Sequence, residues 1–198
     1  MISRQSTFVI GFGGVTNGGK TTTCSAVEKF FSSNPLKYRV KTMHLDHYFR
    51  SEDDPHHVHL KELNHHDWES LTALHIDQFL IDFQSNLQQC DILLVEGFLI
   101  YNIDYPSKTL KDIFHIMFFF DLPYEECLHR RLRRNYNPPD PDGYFIKHVW
   151  QESIKSKQEA LDRSKDSPII VIDTSEISID QMIKMVIDQI QEKLSVQI

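Results

Sequence analysis

The chain has 198 residues, a formal net charge of -7 with histidine neutral, 40% hydrophobic residues and a pI near 5.8. That length suits one domain with a real core. The acidic balance argues against a chain whose main business is nucleic-acid binding, and no run reaches the roughly 18 apolar residues of a membrane span. Cys24, Cys90 and Cys127 are too scattered for a disulfide framework and the N-terminus carries no apolar leader, so a soluble protein of the reducing cytoplasm is expected.

Along the chain, apolar runs bounded by turn residues alternate with segments of helical period, the pattern of a βαβ chain with a mostly parallel sheet. "TFVIGF" from Thr7 reads as the first strand, and a helix follows from Lys20 to about Phe31. "RVKTMHL" from Arg39 is the second strand, and a helix is expected from Leu71 to about Gln88. "DILLVEG" from Asp91 and "IFHIMFFFD" from Ile113 are the third and fourth strands, apolar on both faces as strands covered on each side must be. Helices from Tyr124 to about Asn135 and from Phe145 to Asp162 precede a fifth strand, "PIIVID" from Pro168. A last helix starts at Ser178, with Ile183, Ile187, Ile190 and Leu194 as its apolar stripe. The fold class is α/β, three layers around a five-stranded sheet, formed by a single domain over 1–198. Two loop-rich stretches, "HYFRSEDDPHHVHLKELNHHDWES" and "NYNPPDPDGYF", are long enough to be functional.

Between the first strand and first helix, Gly14-Val15-Thr16-Asn17-Gly18-Gly19-Lys20-Thr21 satisfies GxxxxGK[ST] in the strand-then-helix context that the motif requires. Glycines let the backbone wrap phosphates with successive N–H groups and the helix N-terminus aimed at the anion. Lys20 would reach the β and γ phosphates of ATP, Thr21 would meet Mg²⁺, and Thr22 completes the ATP-binding segment. Ligands of open α/β sheets bind beyond the carboxyl ends of the strands. Asp46 ends the second strand and Glu96 the third, so Asp46 is assigned as the base for an acceptor hydroxyl and Glu96, with Thr21 and Asp46, to the metal environment. Arg130, Arg131, Arg133 and Arg134 end a helix before a proline-rich loop. Beside a P-loop they read as a kinase lid rather than as a solvated helix end or a nucleic-acid contact.

Taken together, "GVTNGGKTT", "LDHYF", "LLVEGFLIYN", "PYEECLHRR" and "YNPPDPDGYFIKHVW" resemble the nicotinamide riboside kinases, within the uridine-kinase-like P-loop nucleoside kinases. The resemblance runs in order from about Phe8 to Trp150. It implies ATP-dependent phosphorylation of the ribose 5'-hydroxyl of nicotinamide riboside in NAD salvage. It also implies a substrate segment of Asp46, His47, Tyr48 and Phe49 within an insertion at about 47–70, and Asp67 on the ribose hydroxyls. Arg130 and Arg134 would serve ATP, and Arg131, Tyr136 and Asn137 the substrate, within a lid at about 130–145. Where the family carries a tyrosine that stacks on the nicotinamide ring, the residue before Asp67 is His66, whose protonated form would repel a pyridinium cation.

Five of the eleven histidines fall between His56 and His66. They lack partner cysteines and regular ligand spacing, so a solvated loop is expected rather than a zinc site. Two rival functions stay open on sequence. One is the same chemistry on uridine or another small nucleoside; the other is an ATP-binding switch or scaffold that phosphorylates no small molecule.

Overall fold

The computed structural model describes residues 7–33, 38–105, 108–165 and 168–196. Five strands, β1 (Phe8–Gly14), β2 (Val40–His44), β3 (Ile92–Glu96), β4 (Ile116–Asp121) and β5 (Ile170–Asp173), form one sheet in the order β2-β3-β1-β4-β5. Every adjacent pair is parallel. The order reverses at β1, which puts a crevice at the carboxyl ends of the central strands.

Side chains along each strand alternate between two apolar layers. Phe8, Ile10 and Phe12 of β1, with Leu94 and Phe118, face Val27 and Phe31 of helix α1 (Lys20–Ser32) and Val186 and Ile190 of helix α5 (Ile179–Ser195). Val9, Leu93, Val95, Met117 and Phe119 face the other way, against Phe79 and Phe83 of helix α2 (Ile76–Asn86) and the segment leading into helix α4 (Trp150–Arg163). Truncating a fully buried phenylalanine such as Phe79 to alanine would cost about 3–5 kcal/mol. On this second face β1 carries Gly11 and Gly13, because the Tyr101 ring occupies their side-chain space. A Cβ on Gly13 would stand 2.3 Å from that ring, whose hydroxyl donates to the Phe118 carbonyl at 2.9 Å.

All five expected strands are present, and the helices differ at their ends. The segment after Ser70 makes a 3₁₀ turn, Leu71–Ala73, before α2 begins at Ile76. His75 N–H donates to the Tyr48 carbonyl at 2.8 Å there, tying the chain to the segment after β2 instead of starting a helix. Helix α3 (Tyr124–Arg131) stops short of Asn135 because Arg133 and Arg134 N–H turn back to carbonyls three residues earlier. The helix expected from Phe145 opens as one π-helical turn, Phe145–Val149, continuous with α4. The stripe of α5 is centred on Met182, Val186 and Ile190, with Ile187 and Leu194 at its margin and Ile183 half-buried. Ser178 caps that helix by a reciprocal pair of hydrogen bonds with Gln181, which fixes its first turn.

Two short antiparallel ribbons lie outside the main sheet, His59–Leu60 with His65–His66 and Asp104–Tyr105 with Lys108–Thr109. Among the described residues, no helix is long and apolar enough to cross a membrane.

Candidate active site

The loop from Gly14 to Lys20 curls over the carboxyl end of β1. Gly14 holds a φ of 132°, and a Cβ there would stand 2.2 Å from the Phe120 carbonyl oxygen, so only glycine fits. Val15 N–H donates to that same oxygen at 3.0 Å and the Val15 side chain is buried beneath the loop. Asn17 and Gly19 take positive φ values of 60° and 90°, which turn the backbone into the start of α1. Lys20 is buried, and its Nζ donates to the Val15 carbonyl at 2.8 Å, holding the ammonium inside the curl.

An acidic floor adjoins the loop. Glu96 is 2% exposed, yet both carboxylate oxygens are engaged: Oε1 accepts from Thr21 Oγ1 at 3.2 Å and Oε2 from His44 Nδ1 at 2.8 Å. Burial works to raise its carboxyl, but the His44 hydrogen bond and the Lys20 charge outweigh it and hold the group below the ordinary carboxylate range. Asp46 opens to the cleft on one side with protein bulk behind it. Desolvation raises its carboxyl, Lys20 opposes the rise and Glu96 adds to it, so the net shift is upward. Thr21, Asp46 and Glu96 offer hard oxygen donors beside the phosphate loop. Among the described residues no cluster of three or more acidic, histidine or cysteine side chains forms a closed metal cage. That donor set fits Mg²⁺, which takes one or two protein oxygens and completes its shell with phosphate oxygens and water.

The cleft above this floor has a volume of about 740 Å³. Thr16, Asn17, Gly19, Lys20, Thr21 and Thr22 line one end, with Asp46 and Glu96; Phe49, Trp68, Glu69 and Phe98 line the other; Arg130, Arg131, Arg134, Tyr136, Asn137 and Asp140 cover it. Phe49 stacks on Phe98 with ring centroids 6.0 Å apart and meets Trp68 edge-on at 5.8 Å. Arg131, 6% exposed, makes a two-pronged ion pair with Asp140 at 2.6 and 3.0 Å, lies 3.5 Å from Glu69, and sits 4.3 Å over the Tyr136 ring. Asn17 ties this cover to the phosphate loop, because its carbonyl accepts from Arg130 at 3.3 Å and its Oδ1 from Arg134 and Tyr136 at 3.1 and 3.4 Å. Burial pushes Glu69 up to about 7, with Arg131 and His148 opposing.

Four residues expected to meet substrate lie away from the cleft wall. Tyr48 points its hydroxyl at Asp82 of α2, 2.9 Å away, and packs edge-on against Phe79. His47 shares a separate polar depression with Tyr48 and stands 5.1 Å from the His44 ring. His66 is packed between His57 and His59, at 4.8 and 5.6 Å. Asp67 is buried and occupied: Oδ1 accepts from His148 Nε2 at 2.6 Å and from Glu69 N–H at 2.9 Å. Asp67 therefore makes the turn that aims the next two residues, and the structure puts Trp68 and Glu69 on the wall where His66 and Asp67 were expected. Sequence reading also passed over Arg50, Glu52 and Phe98. An aromatic followed by an acid at 68–69 matches the expected residue types two positions later, and that was the available signal. Gly14, Val15 and Gly18 shape the loop from behind and leave its lining to their neighbours.

A parallel sheet of this order, with the phosphate loop and an acidic strand end beside it, defines a P-loop NTPase fold of α/β type. A solved structure described as "Crystal structure of APE1195" shares the fold, with a TM-score of 0.50 and 13% identity, covering 94% of this chain and 96% of that one. No family model matches the chain. It is 31% identical over 205 residues to nicotinamide riboside kinase 1 of Mus musculus, covering 96% of this chain and 97% of that protein. It is 34% identical over 170 residues to nicotinamide riboside kinase 1 of Rattus norvegicus, covering 78% and 80%. Nicotinamide riboside kinase 2 of Homo sapiens is 29% identical over 204 residues, with 94% and 82% covered. The chain belongs to the nicotinamide riboside kinase family.

Proposed function

We propose that this protein is an ATP-dependent kinase that phosphorylates the ribose 5'-hydroxyl of nicotinamide riboside, forming the mononucleotide in NAD biosynthesis. The observation that carries the reading is that one cleft joins the P-loop, the Asp46 carboxylate and a wall of Trp68, Glu69 and Tyr136. Flat rings beside carboxylates suit a cationic aromatic base, and family membership points to the same acceptor.

In this reading ATP lies along the backbone N–H groups of the loop with Lys20 on its terminal phosphates. Asp46 orients the 5'-hydroxyl and takes its proton as the oxygen bonds to the γ phosphorus and the bond to the bridging oxygen breaks, releasing ADP. Its raised pKa makes it a better proton acceptor than an unperturbed carboxylate. Lys20 and Arg130 neutralise charge on the transferring group. Thr21 and Glu96, with Asp46 nearby, would hold Mg²⁺, which supplies charge neutralisation across the phosphate oxygens when bound. Residues 130–145 act as the lid, tied to the loop through Asn17, and residues 47–70 contribute the acceptor wall. Glu69, which lines the cleft, takes the ribose-binding role that the family resemblance implies for Asp67. The three cysteines are free and buried, which suits the reducing cytoplasm.

The test is ADP release in the presence of Mg-ATP and, in turn, nicotinamide riboside, nicotinic acid riboside, uridine or no acceptor. Stimulation by nicotinamide riboside is the expected result. Stimulation by uridine alone would transfer the chemistry to another acceptor, and turnover that no acceptor raises would leave a nucleotide-binding switch.

A further inference from the structure

His44 stands beside the acidic floor of the cleft, in contact with Glu96. His44 is the last residue of β2 and the direct cross-strand partner of Glu96 in the parallel pairing of β2 with β3. Neighbours in that register project from the same face of the sheet. Earlier along β2 and β3 that face carries Val40, Ile92 and Leu94 against α1, with Thr42 the one polar side chain among them. The last pair is instead an imidazole and a carboxylate, 2.8 Å apart.

The direction of the bond follows from chemistry. Glu96 is held in its ionised form and an ionised carboxylate only accepts, so His44 Nδ1 carries the hydrogen between them. Thr21 Oγ1 donates to the other oxygen at 3.2 Å. The two donors hold the carboxylate from opposite oxygens, one from the sheet and one from the first turn of α1. Without His44, Oε2 would be left in a nearly solvent-free position with no donor, and Lys20 is the other positive charge that acts on the Glu96 carboxylate. A glutamate released in that way would turn toward the ammonium that the phosphates need and away from Thr21.

We propose that His44 is a positioning residue for phosphoryl transfer: its Nδ1–H fixes the Glu96 carboxylate beside Thr21 and thereby sets the strength with which the nucleotide site takes its divalent cation. The inference rests on the kinase reading above. It assigns His44 no contact with ATP or riboside. Outer partners that orient a carboxylate commonly matter for metal affinity by about 10- to 100-fold.

The experiment compares the full-length parent with His44→Asn, which keeps an N–H close to the position of Nδ1, and His44→Phe, which keeps a ring against His47 but has no donor. ADP binding is measured by calorimetry with Mg²⁺ and again with EDTA, and the Mg²⁺ concentration for half-maximal turnover is recorded with nicotinamide riboside. In H44F the gain in ADP affinity on adding Mg²⁺ is expected to shrink by about tenfold or more, while ADP affinity in EDTA and the riboside KM stay at parental values. H44N is expected to retain most of that gain. A purely structural role would lower both ADP affinities together, or would be met by the ring in H44F and lost in H44N, and either pattern overturns the proposal. Should H44F fail to fold, His44→Leu serves as the donor-free variant under the same criteria. A parent that phosphorylates the riboside while H44F keeps its Mg²⁺ dependence sinks this inference alone. A parent with no acceptor-stimulated turnover removes the kinase reading and this inference with it.

Discussion

The two ends of the cleft are held together in different ways. At the phosphate end, the shape comes from backbone geometry in eight consecutive residues and from strands that are immediate neighbours in the sheet. Gly14 lies against Phe120, Lys20 folds onto Val15, and His44 pairs with Glu96 in register. At the acceptor end, the shape comes from side chains of different elements that meet one another directly. His148 reaches Asp67 over 81 positions, and Tyr136 reaches Asn17 over 119. The phosphate end is thus shaped by main-chain conformation and by register between neighbouring strands, while the proposed acceptor wall is set by side-chain pairs whose members choose one another only after the chain has folded.

The largest expected effect is at the junction of the two ends. Asp46→Asn should lower turnover by about 10²- to 10⁴-fold, the usual scale for a general base, while ADP affinity changes little. Steady-state kinetics with a parallel binding measurement checks both parts, and loss of ADP binding would move Asp46 out of the acceptor role.

Next in size is the contrast between two neighbouring acids. Glu69→Ala should raise the riboside KM by about 10- to 100-fold, the scale of a lost hydrogen bond to a charged group. Asp67→Asn should lower the thermal midpoint through its contacts with His148 and the Glu69 backbone, and should move KM far less. A KM change of equal size in both variants would erase the distinction between wall and support. Trp68→Ala should raise KM by about tenfold, in line with one lost aromatic contact, and His66→Ala should not.

The smallest effect is a slope. Glu69 is raised by burial to about 7, so between about pH 4.5 and 7 the folded protein keeps a proton that the unfolded chain has released. Stability therefore declines across that window as pH rises, and the contribution is flat above it. Glu69→Gln cannot titrate. Urea midpoints measured from pH 5 to pH 8 should show the parent falling relative to E69Q, and parallel curves would mean that Glu69 is solvated.

Legibility in the sequence followed the same division. The three central strands were readable because burial on both faces leaves continuous apolar runs, the two edge strands because short β-branched runs are bounded by turn residues, and the P-loop because its glycines answer backbone demands. The ends of α2 and α3 were not, since tertiary hydrogen bonds to Tyr48 and turns beside the arginines decide them. An aromatic and an acid are expected at His66 and Asp67, but the cleft is lined by Trp68 and Glu69, the pair proposed to meet the acceptor. In a segment without regular period, nothing in the sequence shows which side chain points inward.

By itself, then, the sequence determined the three layers, the phosphate loop and the acidic end of β3, because those depend on periodicity and on main-chain conformation. Asp46, expected to end the second strand, lies two residues past β2 in a 3₁₀ turn, Leu45–Tyr48. Tertiary structure alone decided that Asp67 braces His148 while Glu69 faces Arg131, that Asn17 gathers Arg130, Arg134 and Tyr136, and that His44 stands beside Glu96. Each of those is a pairing of polar groups across the fold, and a polar group's partner is fixed by where burial leaves it, which no single stretch of sequence records.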